Sequence, residues 1–277
     1  MTDQSSKRSI KLRSVFISDV HLGSRSCRVD YLHDFLKKID TEYLYLVGDI
    51  VDLWSMKRSF FWPQEHNNIV RILLSKAKQG TKVIYIPGNH DEPFRDFVGH
   101  DFGNLQVRKD AIHVTADGRN ILVLHGDEFD GEIKCAAWLG LLGHHAYELI
   151  LYLNRRLNWL RRKLGFDYWS LASYLKSKTK TAEKYIDRFE NSATDTARRQ
   201  GLDGVICGHI HRPKVHTLGG LLYMNCGDWQ ESCTTLIESQ DGEITLMHWS
   251  DRQNVVTAEG DPMQFSVLLE KVLDNAA

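Results

Sequence analysis

Three short β-branched runs constrain this chain more than any other feature. SVFISDV (Ser14–Val20), YLYLVGDIV (Tyr43–Val51) and KVIYIPGNHD (Lys82–Asp91) each run into a polar loop of Gly, Asp, Asn or His. Short apolar stretches bounded by turn residues read as buried strands. Between the first two, Val29, Leu32, Phe35, Leu36 and Ile39 recur at helical spacing. A second helix is expected over about Glu65–Gln79, with Gly80 as its C-terminal stop. Strand, polar loop, helix and strand again make a βαβ unit, so the chain starts as an α/β fold.

The rhythm then changes. AIHVTA and NILVLHGD flank Asp117-Gly118, and further hairpins are expected around Gly219-Gly220 and Asp241-Gly242. Glu132–Arg199 is helical in pattern almost throughout and separates the strand-rich halves. The expected organisation is a catalytic domain over 1–131 and 200–277, interrupted by a helical cap insertion over 132–199. A chain of 277 residues is long enough for one such domain with a sizeable core. The net charge of −1 hides an asymmetry: Asp130–Gln200 holds 13 Lys/Arg against 8 Asp/Glu, a local excess of +5.

Cys27, Cys135, Cys207, Cys226 and Cys233 are scattered, odd in number and form no CxxC pair, and the N-terminus lacks the apolar core of a signal peptide. A cytoplasmic protein is expected, with its cysteines serving as small apolar residues. The longest apolar stretch, Cys135–Leu153, is broken by Gly140, Gly143, His144, His145 and Glu148, so no membrane span is expected.

The polar loops share one chemistry. They carry Asp19 and His21, then Asp49, then Asn89 and His90, then His125, then His209 and His211. Loops at the carboxyl ends of strands are where open α/β sheets place ligands. One such residue is ordinarily a turn or cap residue; a series, each in a Gly-flanked loop, is not explained that way. In VICGHIHRP (Val205–Pro213) the two imidazoles lie two residues apart and leave an extended chain about 6.6 Å apart on one side. Paired metal ions sit about 3.5–4 Å apart, so each imidazole can reach a different ion while one carboxylate bridges them. Asp, Asn and His without Cys favour Mn²⁺, with Fe or Zn²⁺ as alternatives, over Mg²⁺.

The ordered series DVH (Asp19–His21), GD (Gly48-Asp49), GNHD (Gly88–Asp91), HGD (His125–Asp127) and GHIH (Gly208–His211) resembles the signature of the calcineurin-like metallophosphoesterases. The resemblance implies an αββα sandwich of mixed sheets with a helical cap insertion. It also implies that Asp19, His21 and His211 hold one divalent metal, that Asn89, His125 and His209 hold a second, and that Asp49 bridges them. His90 would face the phosphate oxygens or the leaving group, with Asp91 orienting its ring. The implied reaction is attack on phosphorus by a metal-bridging hydroxide, with His90 donating a proton to the departing oxygen or stabilising charge on the phosphoryl group.

Substrate class is addressed by what departs from the family pattern. Phosphoprotein phosphatases of this superfamily continue as GDxVDRG, whereas this chain reads GDIVDLW (Gly48–Trp54) and lacks the arginine. Trp54, Phe60, Phe61 and Trp62 form either an apolar or base-stacking wall or a simple cover over the sheet. The nearest likeness is to UDP-2,3-diacylglucosamine diphosphatases of lipid A synthesis, through HGD, GHxHRP, GDW (Gly227–Trp229) and the insertion between them; those enzymes usually carry Arg where this chain has His90. Cleavage of a pyrophosphate or phosphodiester on a lipid- or nucleotide-linked substrate is therefore implied, at the inner face of the membrane.

Within the insertion, Leu149, Leu153, Leu157, Leu160 and Leu164 make one stripe, and Tyr152, Arg155, Trp159 and Arg162 the opposite face. Arg155, Trp159, Arg162 and Trp54 are the candidate substrate-binding residues; a solvated face or a subunit contact is the alternative for the insertion. The remaining histidines (His33, His66, His100, His113, His144, His145, His216, His248) are expected at the surface or the core edge. A nuclease or cyclic-nucleotide phosphodiesterase is the alternative enzyme, although near-zero net charge argues against dedicated nucleic-acid binding. A non-catalytic scaffold is the alternative from another class.

Overall fold

The computed structural model describes residues 9–131, 156–158, 160–161, 163–164, 180–249, 254–256 and 262–264. In chain order the elements are β1 (Ile10–Ile17), α1 (Val29–Lys38), β2 (Ile39–Val47), α2 (Leu53–Arg58), α3 (Gln64–Gln79), β3 (Lys82–Ile86), β4 (Asp101–Phe102), β5 (Leu105–Val107), β6 (Ala111–Val114) and β7 (Asn120–Val123). There follow α4 (Lys180–Arg199), β8 (Gly204–Cys207), β9 (Lys214–Leu218), β10 (Leu221–Asn225), β11 (Thr234–Glu238), β12 (Ile244–His248), β13 (Asn254–Val256) and β14 (Pro262–Gln264).

Two mixed sheets result. The first runs β14-β13-β12-β11-β1-β2-β3-β5-β4 and the second β6-β7-β8-β10-β9. The crossovers give parallel β1/β2, β2/β3 and β3/β5 pairs, and β7/β8 and β8/β10 are also parallel. Each of the three expected hairpins forms: β6/β7, β9/β10 and β11/β12 are antiparallel. Gly80 ends α3 in the left-handed conformation, φ 113°, with its N–H donating to Ala77 O. Ile39 belongs to a strand rather than to the helix its spacing suggested: α1 stops at Lys38, and Ile39 pairs with Ile10 in the parallel register. Its side chain stays buried in the same cluster, which is why the periodicity ran on.

The layers follow from which faces are apolar. Phe16, Val47, Ile84 and Ile86 of the first sheet meet Ile121, Val123, Ile206 and Met224 of the second. Leu32, Phe35 and Leu36 of α1 and Ile69 and Leu73 of α3 cover the outer face of the first sheet. Each such buried side chain contributes roughly 1.5–3 kcal/mol. Phe189, Ala193 and Ala197 of α4 cover the second sheet on Leu122, Val205 and Tyr223. The result is the αββα order. Residues 180–199, assigned by pattern to the insertion, thus pack as an outer layer of the sandwich.

In the rest of the insertion, residues 156–158, 160, 161 and 163 are helical, with Asn158 buried while Leu160 and Leu164 are 49% and 63% exposed. At these two positions the leucine stripe does not pack on the catalytic domain. Leu149, Leu153, Arg155, Trp159 and Arg162 lie outside the described residues. Cys207, Cys226 and Cys233 are buried, as small apolar residues should be, and Cys27 is half-buried.

Two histidines differ from expectation. His113 is buried on the face between the sheets, where its Nε2 lies 2.8 Å from Glu238 Oε2 and its Nδ1 3.0 Å from Tyr45 Oη. Arg13 and Ser14 donate to the same Glu238 carboxylate. His66 is buried too, its Nδ1 accepting from Gly23 N at 3.0 Å. Both are polar residues with their hydrogen bonds satisfied inside the molecule, a placement that periodicity alone does not reveal.

Candidate metal centre

The carboxyl ends of β1, β2 and β3 in one sheet and of β7 and β8 in the other converge on one rim. The chain beyond them is bent sharply. Among the described residues six non-glycine positions have φ in the left-handed region, and five are Asp19, His21, Asp49, His209 and His211, at φ 51–68°. Such a conformation is unfavourable for side chains with a Cβ, and it persists only where the surroundings over-determine it. Here backbone hydrogen bonds do so. Asp19 N donates to Gly48 O, His21 N to Asp49 O and Leu22 N to Ile50 O, while Gly208 N donates to His125 O. The first two motif loops are thereby sewn together, as are the last two.

The motif glycines are required by space. A Cβ at Gly48 would collide with the His125 ring, one at Gly88 would stand 2.6 Å from His125 Nε2, and one at Gly208 would stand 2.5 Å from Asp19 Oδ2. Each glycine lets a neighbouring strand's polar side chain close in.

Three triads of ligand atoms gather within 4.8 Å: Asp19, His21 and His211; His21, Asp49 and His90; and Asp49, His125 and His209. Asp49 joins them. Its Oδ2 lies 3.9 Å from His21 Nε2 and 3.5 Å from His125 Nε2, while its Oδ1 accepts from His90 N at 2.8 Å. Whether the residues suit a cation is tested by the polar atoms left over. Seven buried side-chain polar atoms among the described residues lack a hydrogen-bond partner, and five are Asp19 Oδ1, His21 Nε2, Asn89 Oδ1, His125 Nε2 and His211 Nδ1. A buried polar atom without a partner costs about 1–3 kcal/mol, and folded chains avoid it. All five belong to motif-loop residues, and oxygen and imidazole donors of this kind fit divalent metal.

Charge agrees. Burial opposes ionisation of Asp49, but His125 and His21 hold its carboxyl well below the usual carboxylate range. Burial works to lower His21, yet its hydrogen bond to the Asp52 carboxylate and the Asp49, Asp52 and Asp19 charges push it up to about 9. The Asp49 carboxylate similarly overcomes burial to push His125 up to about 10. These carboxylates draw positive charge inward, and a metal ion competes with the proton for the same nitrogens. His125 Nδ1 lies 3.0 Å from Val47 O and donates to it, which turns Nε2 toward Asp49.

Asp91 does not orient His90, contrary to the sequence expectation. Its buried carboxylate accepts from Gly88 N at 2.6 Å, Ile50 N at 2.8 Å, Asp49 N at 3.3 Å and Val51 N at 3.4 Å, and from the Tyr85 hydroxyl. It pins two loops together instead. The carboxylate on His90 is Asp52, whose Oδ1 lies 3.0 Å from His90 Nδ1 and whose Oδ2 lies 3.2 Å from His21 Nδ1. Asp52 also caps α2 by accepting from Ser55 N. Two other carboxylates face candidate ligands: Asp130 Oδ2 at 3.0 Å from His209 Nε2, and Asp228 Oδ2 at 3.9 Å from His211 Nδ1. Asp52 and Asp228 were visible inside GDIVD and GDW but carried no assigned role; Asp130 had no sequence signal beyond its place three residues after HGD.

Among the candidate substrate-binding residues, Trp54 is half exposed with its ring 5.1 Å from that of His90. Arg155, Trp159 and Arg162 are outside the described residues.

A two-sheet sandwich with this Asp/His rim defines the class of protein. The chain belongs to the calcineurin-like phosphoesterase family, whose model matches residues 12–213. As such it is a metal-dependent phosphoester hydrolase. Among its relatives, the UDP-2,3-diacylglucosamine hydrolase of Azotobacter vinelandii is 27% identical over 219 residues, covering 75% of this chain and 85% of that one. The UDP-2,3-diacylglucosamine hydrolase of Shewanella sp. (strain ANA-3) is 26% identical over 249 residues, covering 83% and 95%. Among solved structures, Vacuolar Protein Sorting 29 from Cryptosporidium parvum aligns with a TM-score of 0.44 at 13% identity, covering 91% of this chain and 97% of that one. No helix among the described residues is long and apolar enough to cross a membrane.

Proposed function

We propose that this protein hydrolyses the pyrophosphate of a lipid-linked nucleotide of the UDP-2,3-diacylglucosamine type, using two divalent metal ions, with Mn²⁺ the first choice and Fe or Zn²⁺ the alternatives. One observation carries the two-metal reading: a single oxygen, Asp49 Oδ2, faces His21 on one side and His125 on the other. The relatives' shared name, together with HGD, GHxHRP and GDW, supports the substrate class.

In this reading Asp19, His21 and His211 would hold one ion and Asn89, His125 and His209 the other, with Asp49 placed to serve both. Bound divalent ions supply Lewis acidity to phosphoryl oxygens and a water that ionises near neutral pH. The chain's own part is positioning and proton handling. His90 N fixes Asp49 Oδ1, so that Oδ2 is directed to the centre. Asp52 holds His90 Nδ1, which leaves Nε2 to give a proton to the departing phosphate oxygen. Trp54 walls the same side, and Arg155, Trp159 and Arg162 meet the anionic part of the substrate from the insertion. The protein works at the cytoplasmic face of the membrane, where such a lipid is reached.

Incubation with UDP-2,3-diacylglucosamine, cyclic nucleotides and single-stranded DNA, each with Mn²⁺ and with EDTA, tests the proposal. UMP released from the lipid alone, and only with metal, is the expected result. Turnover of the nucleotides or DNA with none of the lipid would replace it with the phosphodiesterase or nuclease reading. Absence of metal-dependent turnover even on bis(p-nitrophenyl) phosphate would leave the scaffold.

A further inference from the structure

The segment Leu53–Pro63, LWSMKRSFFWP, holds four aromatic residues and two cations and no acid. Phe60 is 76% exposed, more than any other large hydrophobic side chain among the described residues. The Arg58 guanidinium lies 5.6 Å from the Trp54 ring centroid and that of Arg25 lies 4.4 Å from the Phe61 centroid. Arg25, Lys57 and Arg58 have no carboxylate partner among the described residues. The other exposed aromatic pair, Phe97 and Phe102, differs: Arg95 beside it is taken by Asp127 at 2.6 Å, and Arg108 by Asp101 at 2.6 Å. The first patch joins its exposed rings to three cations that have no carboxylate partner among the described residues.

We infer that the face bearing Arg25, Lys57, Arg58 and Phe60 docks this protein on an anionic lipid bilayer. The inference rests on the lipid-linked substrate proposed above. A soluble phosphate would need the cations but not a ring projecting into solvent. A bilayer uses both, since aromatic side chains settle at the headgroup level and Lys and Arg meet anionic lipid. The patch is also fixed to the reactive rim. Leu53 N donates to His90 O at 3.1 Å, Asp52 both caps α2 and holds His90, and α2 is six residues, roughly 9 Å, long. A bilayer under α2 therefore brings headgroups to within about one short helix of His90, while acyl chains stay in the membrane.

The test is co-sedimentation of the full chain with vesicles of phosphatidylglycerol and phosphatidylcholine, against vesicles of phosphatidylcholine alone. The wild type is expected to bind the anionic vesicles and to be released by salt. Each free cation is expected to be worth about five-fold in binding, so the triple variant Arg25→Glu, Lys57→Glu, Arg58→Glu should lose well over ten-fold. Phe60→Ser should weaken binding independently. Both variants should melt like the wild type and hydrolyse bis(p-nitrophenyl) phosphate with Mn²⁺ at its rate. The inference is overturned if the wild type ignores anionic vesicles, if the triple variant binds as well as it does, or if Phe60→Ser merely disperses a self-associated form. Vesicle binding without UMP release from the lipid would sink the substrate reading and leave docking standing; UMP release from detergent-dispersed lipid without vesicle binding would do the reverse.

Discussion

Asp52 Oδ1 stands 3.0 Å from His90 Nδ1, and this contact ties the one imidazole assigned to proton transfer to a buried carboxylate at the start of α2. A histidine in this setting has its tautomer and rotation fixed by its partner. Asp52→Asn keeps the shape and removes the charge. Turnover is expected to fall about 10–100-fold, with metal content near that of the wild type. Turnover unchanged in steady-state assays would free His90 from Asp52.

His90 and Asp49 should separate chemistry from metal binding. His90→Ala is expected to lose about 10²–10⁴-fold in turnover with metal retained, because it removes a proton donor and no bridging oxygen. Asp49→Ala removes the oxygen shared by His21 and His125, and elemental analysis should find it depleted of metal. Equal metal in the Asp49 variant and the wild type would contradict the bridge.

Gly88 is a steric requirement rather than a conformational one, since its φ is outside the left-handed region while a Cβ there would press on Asp49 and His125. Gly88→Ala is expected to cost about 1–3 kcal/mol in denaturant unfolding and to lower metal content. Wild-type stability and metal in this variant would show that the two ligands can step aside.

Glu238 gives a pH dependence away from the metal. Burial works to raise its carboxyl, but the hydrogen bonds from His113 and Ser14 hold it below its ordinary value of 4.5. A folded value below the unfolded one means that the stabilisation is complete above about 4.5 and disappears as pH falls through the folded value. Glu238→Gln should therefore cost about 3 kcal/mol at neutral pH, where it leaves Arg13 without its carboxylate, and less in acid. Urea unfolding of both proteins across that range is the check; a gap independent of pH would refute the assignment.

Much of this was legible because each motif lies where a strand ends. β-branched runs, turn residues and helical spacing placed β1, β2, β3, α3 and the three hairpins. The loop residues Asp19, His21, Asp49, Asn89, His90, His125, His209 and His211 stood out because a Gly-flanked polar residue behind an apolar strand has no packing role. The carboxylates that position them did not. Asp52 lies inside an otherwise ordinary helix cap, and Asp91 looked like the partner of His90 only because it is the next residue; the Asp91 carboxylate turns back onto the Gly88, Asp49 and Ile50 amides instead. α4 was grouped with the insertion because Glu132–Arg199 reads as helical almost throughout, while the small residues Ala193 and Ala197 that pack it on the second sheet give a weak apolar signal. His113 and His66 were misplaced because hydrogen-bond satisfaction depends on distant strands.

Asp91 draws four backbone amides from the β2 and β3 loops onto one carboxylate, from behind the rim and with no part in the rim itself. The receptacle is thus riveted by the chain's own amides. A side chain that offers no donor to the centre still sets where the donors stand, so its loss would loosen the rim without removing a single ligand.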